Sequence, residues 1–121
     1  MFKNRTLFQS FKYSFKGLFH AIRENRNMRI HATIAVIVMI LGLVLGVGRF
    51  EMGIIGVMIL LVIMAEMINT AIEEMVDLIV TEHKRQAKIA KDVASGMVLV
   101  AVMGSIIVGI LIFVPHILKL F

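Results

Sequence analysis

Four residues at helical spacing, Glu66, Asn69, Glu73 and Asp77, bring carboxylates and an amide into a long apolar run. At about 100° per helical residue they fall within roughly 80° of one another, a single polar stripe on an otherwise greasy helix. Hard oxygen donors in such a stripe suit Mg²⁺ and polyphosphate, because Mg²⁺ takes one or two carboxylates and completes its shell with phosphate oxygens and water. A Lys91-Asp92 pair and Ser95 follow across a polar stretch. If the first ~20 residues of the run cross the hydrocarbon, Glu66 lies just beneath the far interface and Glu73, Glu74 and Asp77 at or beyond it. Glu73 is then placed to hold a metal at the water boundary. Glu66 stands in a drier place, where desolvation makes a carboxylate a better proton acceptor.

Intramembrane carboxylates cost about 2.5–3.5 kcal/mol each on insertion scales, so they face protein, water or a ligand. One bland alternative is that these groups only satisfy one another between subunits. A second is a proton relay in a small transporter or channel, which would show carboxylates in more than one span; the other two apolar runs carry none. Three helices are not expected to enclose the stripe on every side, so a single chain would expose Glu66 to lipid. A homo-oligomer is therefore expected. No G-x-x-x-x-G-K-[ST] loop, G-x-G-x-x-G, H-E-x-x-H or protein-kinase signature occurs, which leaves the common nucleotide folds without a signal.

The elements that must position these groups are helices. Of the 121 residues 60% are hydrophobic and the mean hydropathy is +0.95, the composition of one integral membrane domain, residues 1–121. There is no cysteine, which excludes disulfides, thiolate metal sites and a thiol nucleophile. Met1–Thr6 reads as a polar N-terminus rather than the start of a cleaved signal. From about residue 7 to 25, Phe8, Phe11, Phe15, Leu18, Phe19 and Ile22 recur at helical spacing opposite Lys12, Tyr13, Lys16, His20 and Arg23. That pattern predicts an amphipathic helix in the membrane interface, its cations near anionic head groups or a phosphate-bearing ligand. Spans are expected at about 29–46, 52–79 and 92–114, with a tight turn at Gly46–Glu51, a polar loop at Thr81–Lys91 and a stop at Pro115. Gly42 and Gly46 form a G-x-x-x-G pair.

The net charge of +5 reads as topology, not as nucleic-acid binding. Lys3, Arg5, Lys12, Lys16, Arg23, Arg26 and Arg29 precede the first span, and Lys84, Arg85, Lys88 and Lys91 lie between the second and third. The opposite side has only Arg49 and Lys119. The positive-inside rule puts the N-terminus and the polar loop in the cytoplasm and the C-terminus outside, so the carboxylate stripe opens to the cytoplasm.

The run Glu66-Met67-Ile68-Asn69-Thr70-Ala71-Ile72-Glu73, continuing through Asp77 to His83 and Ala90-Lys91-Asp92 with Ser95-Gly96, resembles the signature of the small bacterial integral-membrane lipid kinases, the diacylglycerol and undecaprenol kinases. Tyr13-Ser14-Phe15-Lys16-Gly17-Leu18 is similar to their N-terminal helix motif, and the three-span layout matches over nearly the whole chain. The resemblance implies an all-α homotrimer in the plasma membrane with shared active sites, transferring the γ-phosphate of ATP to a lipid hydroxyl with Mg²⁺. It implies Glu66 as general base and Glu73 as a metal ligand. Tyr13, Asn25, Glu73, Glu82, His83, Lys91 and Asp92 are implied around ATP, Asn69 and Ser95 along the path of the lipid hydroxyl, and Asp77 and Lys16 in support. In one place the chain departs from the family pattern: the glutamate that commonly precedes Arg-Asn is Asn25 here, with Glu24 one position earlier, so either residue is the expected second metal ligand. The stretch Arg26-Asn27-Met28-Arg29-Ile30-His31 and the Pro115 ending look like the Gram-positive branch, whose usual lipid is undecaprenol. Diacylglycerol offers the same kind of hydroxyl and is the alternative substrate.

Overall fold

A computed structural model describes residues 5–82 and 84–121, and among these every regular element is an α-helix. Four helices follow in order: α1 (Leu7–Glu24), α2 (Arg26–Val44), α3 (Arg49–Ile79) and α4 (Arg85–Leu118). The last three are long and apolar enough to cross a membrane. Their outward faces carry Ile37, Ile40, Leu60, Leu61, Val100 and Leu111, all exposed on the single chain, which is the surface a hydrocarbon solvent requires. The molecule is a membrane protein.

α3 is the central element and packs against each of the other three helices. Its 31 residues would extend ~46 Å, longer than the ~30 Å hydrocarbon core. α1 and α2 are separated by the single extended residue Asn25, whose backbone N–H closes α1 on Ala21 O while its side chain caps α2. Arg29 donates from its guanidinium back to the carbonyls of Ile22 and Arg23, satisfying the last turn of α1.

The α2–α3 link is a Schellman turn: Val47 N donates to Gly42 O at 3.0 Å and Gly46 N to Leu43 O at 3.3 Å. Gly46 takes φ +71° there, which a side chain would strain. Gly42 has a different reason to be glycine. A Cβ at that position would lie 2.5 Å from Met52 Sδ, so it permits α2 to approach α3.

Three expectations are corrected. The turn is shorter than Gly46–Glu51, because Arg49, Phe50 and Glu51 already belong to α3 behind Gly48 as N-cap. The loop at Thr81–Lys91 is also shorter, since Arg85-Gln86-Ala87-Lys88 are good helix formers and start α4 early. Pro115 does not end the last helix: α4 continues to Leu118. A proline removes one N–H, and here only three helical residues follow it. His116 Nδ1 donates to Ile112 O at 2.8 Å, adding a side-chain bond in the turn where the backbone bond is lost.

On α1 the aromatic side chains Phe8, Phe11, Phe15 and Phe19 point outward rather than into the fold. The most deeply buried side chains are Met28 and Glu66. A membrane bundle usually buries small apolar residues at its centre; this one buries a carboxylate.

Candidate active site

Glu66 lies on the face of α3 that meets the α1–α2 corner. It is 2% exposed and Asn69 5%, within one chain. This overturns the expectation that a monomer would present Glu66 to lipid. The corner made by Asn25 folds α2 down over the stripe and supplies polar partners from the same chain, so burial of Glu66 is no argument for an oligomer.

The partners form one network. Asn25 Nδ2 donates to Glu66 Oε1 at 3.1 Å and also to Thr70 Oγ1. Thr70 Oγ1 in turn donates to Glu66 O at 3.0 Å. Asn25 Oδ1 accepts from the backbone N–H groups of Asn27, at 2.9 Å, and Met28, at 3.3 Å. Both ends of the Asn25 amide are therefore engaged, and its oxygen has no free lone pair aimed into the site. Glu24, one residue earlier, remains exposed at the end of α1.

A cavity of about 260 Å³ gathers Glu24, Asn25, Glu66, Asn69, Glu73 and Asp77 on one lining. Asn69 Nδ2 donates to Glu73 Oε1 at 3.4 Å, but Asn69 Oδ1 is buried without a hydrogen-bond partner. A buried acceptor left open is costly unless a ligand completes it. A second cavity, about 370 Å³, is lined by Asp77, Glu82 and Lys91 among others, so Asp77 borders both. Lys91 Nζ donates to Asp77 Oδ1 and ties α4 to α3 between the two spaces.

Other expected residues lie apart from these linings. Tyr13 and Lys16 sit together on α1, with Lys16 Nζ 5.4 Å and the Arg5 guanidinium 4.6 Å from the Tyr13 ring centre. Asp92 accepts from Lys88 Nζ at 2.7 Å within α4, and Ser95 is exposed. His83 lies outside the described residues.

Sequence reasoning missed Thr70, His31 and the pair His20–Glu74. His20 Nε2 stands 3.8 Å from Glu74 Oε1, both well exposed, joining α1 to α3. His31 Nε2 is 3.7 Å from Glu66 Oε2. A signal existed for two of these: Thr70 is one turn from Glu66, and His31 is one of only two polar residues in the first apolar run.

Among the described residues no three acidic or histidine side chains converge closely enough to hold a metal by themselves. A Mg²⁺ ion that keeps waters and takes phosphate oxygens asks for fewer, and carboxylates such as Glu24 and Glu73 on one lining are the donor class it prefers.

The prokaryotic diacylglycerol kinase family matches the chain over residues 12–113. An undecaprenol kinase of Bacillus subtilis is 41% identical over 108 residues, covering 89% of this chain and 88% of that protein. A diacylglycerol kinase of Synechocystis is 36% identical over 94% of this chain and 66% of its own length, and one of Haemophilus influenzae is 35% identical over 88% and 92%. With its family match running from α1 through nearly all of α4, the chain belongs to the prokaryotic diacylglycerol kinase family of membrane lipid kinases.

Proposed function

We propose that this kinase transfers the γ-phosphate of ATP to the terminal hydroxyl of undecaprenol, giving undecaprenyl phosphate, with Glu66 as proton acceptor. The observation that carries the chemistry is the buried Glu66 carboxylate, oriented by Asn25 and sharing a cavity with Glu24, Glu73 and the open Asn69 Oδ1.

Glu66 takes the proton of the lipid hydroxyl as its oxygen attacks the γ-phosphorus, and the bond from that phosphorus to the bridging oxygen of ADP breaks. Asn69 Oδ1 is an acceptor for the same hydroxyl before transfer. Glu73 and Glu24 are the ligands we assign to Mg²⁺, which would neutralise charge on the transferring phosphoryl group. Asn25 is left out of that set because its oxygen caps α2. Lys91, Glu82 and Asp77 are assigned to the nucleotide side, where the second cavity opens, and His83 is assigned to ATP on the family resemblance alone.

Tyr13, Lys16, Asp92 and Ser95 line neither cavity of one chain, and this supports a homotrimer in which a neighbouring copy completes each site. α1 is assigned to the cytoplasmic interface of the plasma membrane, with its exposed aromatic residues in lipid and the C-terminus outside. For the acceptor, undecaprenol is supported by the similarity to the Bacillus kinase over most of both chains. The diacylglycerol reading is kept on the two relatives that bear that name.

The test is transfer of radiolabelled phosphate from ATP to each lipid by purified protein, with a Glu66→Gln control. Labelling of undecaprenol above diacylglycerol, dependent on Mg²⁺ and lost in the control, is expected. Preference for diacylglycerol would replace the substrate. If neither lipid is labelled by folded protein, the transporter reading returns, and proton flux across liposomes would check it.

A further inference from the structure

Glu66 is held from one side by Asn25, and its second oxygen faces α2 again two turns further on. His31 Nε2 lies 3.7 Å from Glu66 Oε2, with the histidine side chain 21% and the glutamate side chain 2% exposed. That separation is longer than a hydrogen bond and within the range of an ion pair. Asn25, Met28 and His31 recur at three-residue spacing, so they share one side of α2, and Met28 between the two polar groups is 1% exposed. The apolar anchor sits between a hydrogen-bond donor to one carboxylate oxygen and an imidazole close to the other.

His31 also marks a boundary. It belongs to the lining of a third cavity, about 330 Å³, which is otherwise nearly all apolar and runs between α2, α3 and α4 past Ile34, Val62 and Val102. Within that lining it is the one titratable side chain among the described residues, and Ser105 of α4 is the other polar one. The imidazole thus stands where the greasy space meets the buried carboxylate.

We propose that His31 is a positioning residue for Glu66: it steadies the Oε2 side of the carboxylate while Asn25 steadies the Oε1 side, so that the basic oxygen keeps its aim at the lipid hydroxyl. This rests on the assignment of Glu66 as proton acceptor. Without the imidazole the carboxylate is held only through Oε1 and can pivot about the Asn25 contact, and misplacement of a reacting group by about 1 Å lowers turnover by ~100-fold. ATP, which meets the protein at the opposite, polar end of the stripe, is unaffected in its binding.

The experiment compares the wild type with His31→Leu, His31→Gln, Ile34→Ala and Glu66→Gln in phosphate transfer from Mg·ATP to undecaprenol and to diacylglycerol, with kcat and the KM for ATP measured separately. His31→Leu is expected to lower kcat roughly 10- to 100-fold with the KM for ATP within about twofold, and His31→Gln, which restores a hydrogen-bonding group, to recover most of it. Ile34→Ala, a change in the same cavity wall without a polar contact, is expected to leave kcat close to wild type. Equal losses in the Leu and Gln variants, a loss matched by Ile34→Ala, or a KM for ATP that rises with the fall in kcat would overturn the proposal. Should His31→Leu fail to fold, His31→Gln is read against His31→Asn, whose amide is one methylene shorter; turnover equal in the two would also overturn it. An active Glu66→Gln variant would remove the assignment of Glu66 itself. An inactive one beside an unchanged His31→Leu would remove only the role of His31.

Discussion

The side-chain amide of Asn25 reaches Glu66 Oε1 at 3.1 Å across 41 residues of sequence, so the residue that ends α1 and starts α2 also holds the buried carboxylate of α3. Three structural tasks meet in one residue. Asn25→Asp keeps a capping oxygen but places a second carboxylate against Glu66 and removes both N–H donors. Asn25→Ser keeps the cap and withdraws from Glu66 and Thr70.

For Asn25→Asp we expect a loss of roughly 1–3 kcal/mol, the scale of a buried hydrogen-bond partner left unmade, together with a collapse of turnover. Asn25→Ser, which retains a favoured capping residue, should lose less stability but much of its turnover. Thermal unfolding in detergent beside the phosphate-transfer assay separates the two effects. Equal stability losses would show that the second carboxylate beside Glu66 costs nothing beyond the lost amide contacts.

Removal of Mg²⁺ by chelation should abolish transfer, and added Mg²⁺ should restore it. Glu73→Gln and Glu24→Gln should each raise the Mg²⁺ concentration needed for half activity by roughly tenfold or more, as expected when a carboxylate ligand of Mg²⁺ is replaced by a neutral oxygen. A titration in which Glu24→Gln behaves as wild type would remove Glu24 from the metal.

Lys91 donates to Asp77 where both side chains still meet water, with 38% and 67% exposure, so the pair stabilises by only about 0–1 kcal/mol. Lys91→Met should therefore unfold close to the wild-type temperature. Its KM for ATP should nevertheless rise roughly tenfold or more, since a charge-assisted contact to phosphate contributes about 1.5–3 kcal/mol when made. A large drop in melting temperature without a change in KM would assign Lys91 to the fold alone.

At the α2–α3 link the two glycines should respond differently. Gly46→Ala places a Cβ on a left-handed backbone and should cost about 1–2 kcal/mol. Gly42→Ala meets the flexible tip of Met52, which can move aside, so it should cost less than Gly42→Val, whose extra methyls also approach Phe113. Melting temperatures of the three variants test the order.

Composition and hydropathy by themselves determined the class of protein and the three membrane-length helices, because a bilayer imposes a local requirement: some twenty successive residues must be apolar. The polar stripe from Glu66 to Asp77 was equally legible, since a 3.6-residue period converts spacing directly into a shared face. Helix ends were less so. Arg85–Lys91 looks like a loop by polarity yet folds as helix, and Pro115 looks like a stop yet lies inside α4, because propensity and backbone satisfaction decide ends where hydropathy is silent. What only the tertiary structure decided is who touches Glu66. Asn25 stands out in the sequence only as a candidate metal and ATP residue and His31 as an isolated polar residue in an apolar run, and neither carries a local signal that its partner is Glu66. Their contacts arise from the corner between α1 and α2, which is set by packing of Met28 and Ala21 into the bundle, and packing between distant segments leaves no period in the chain to read.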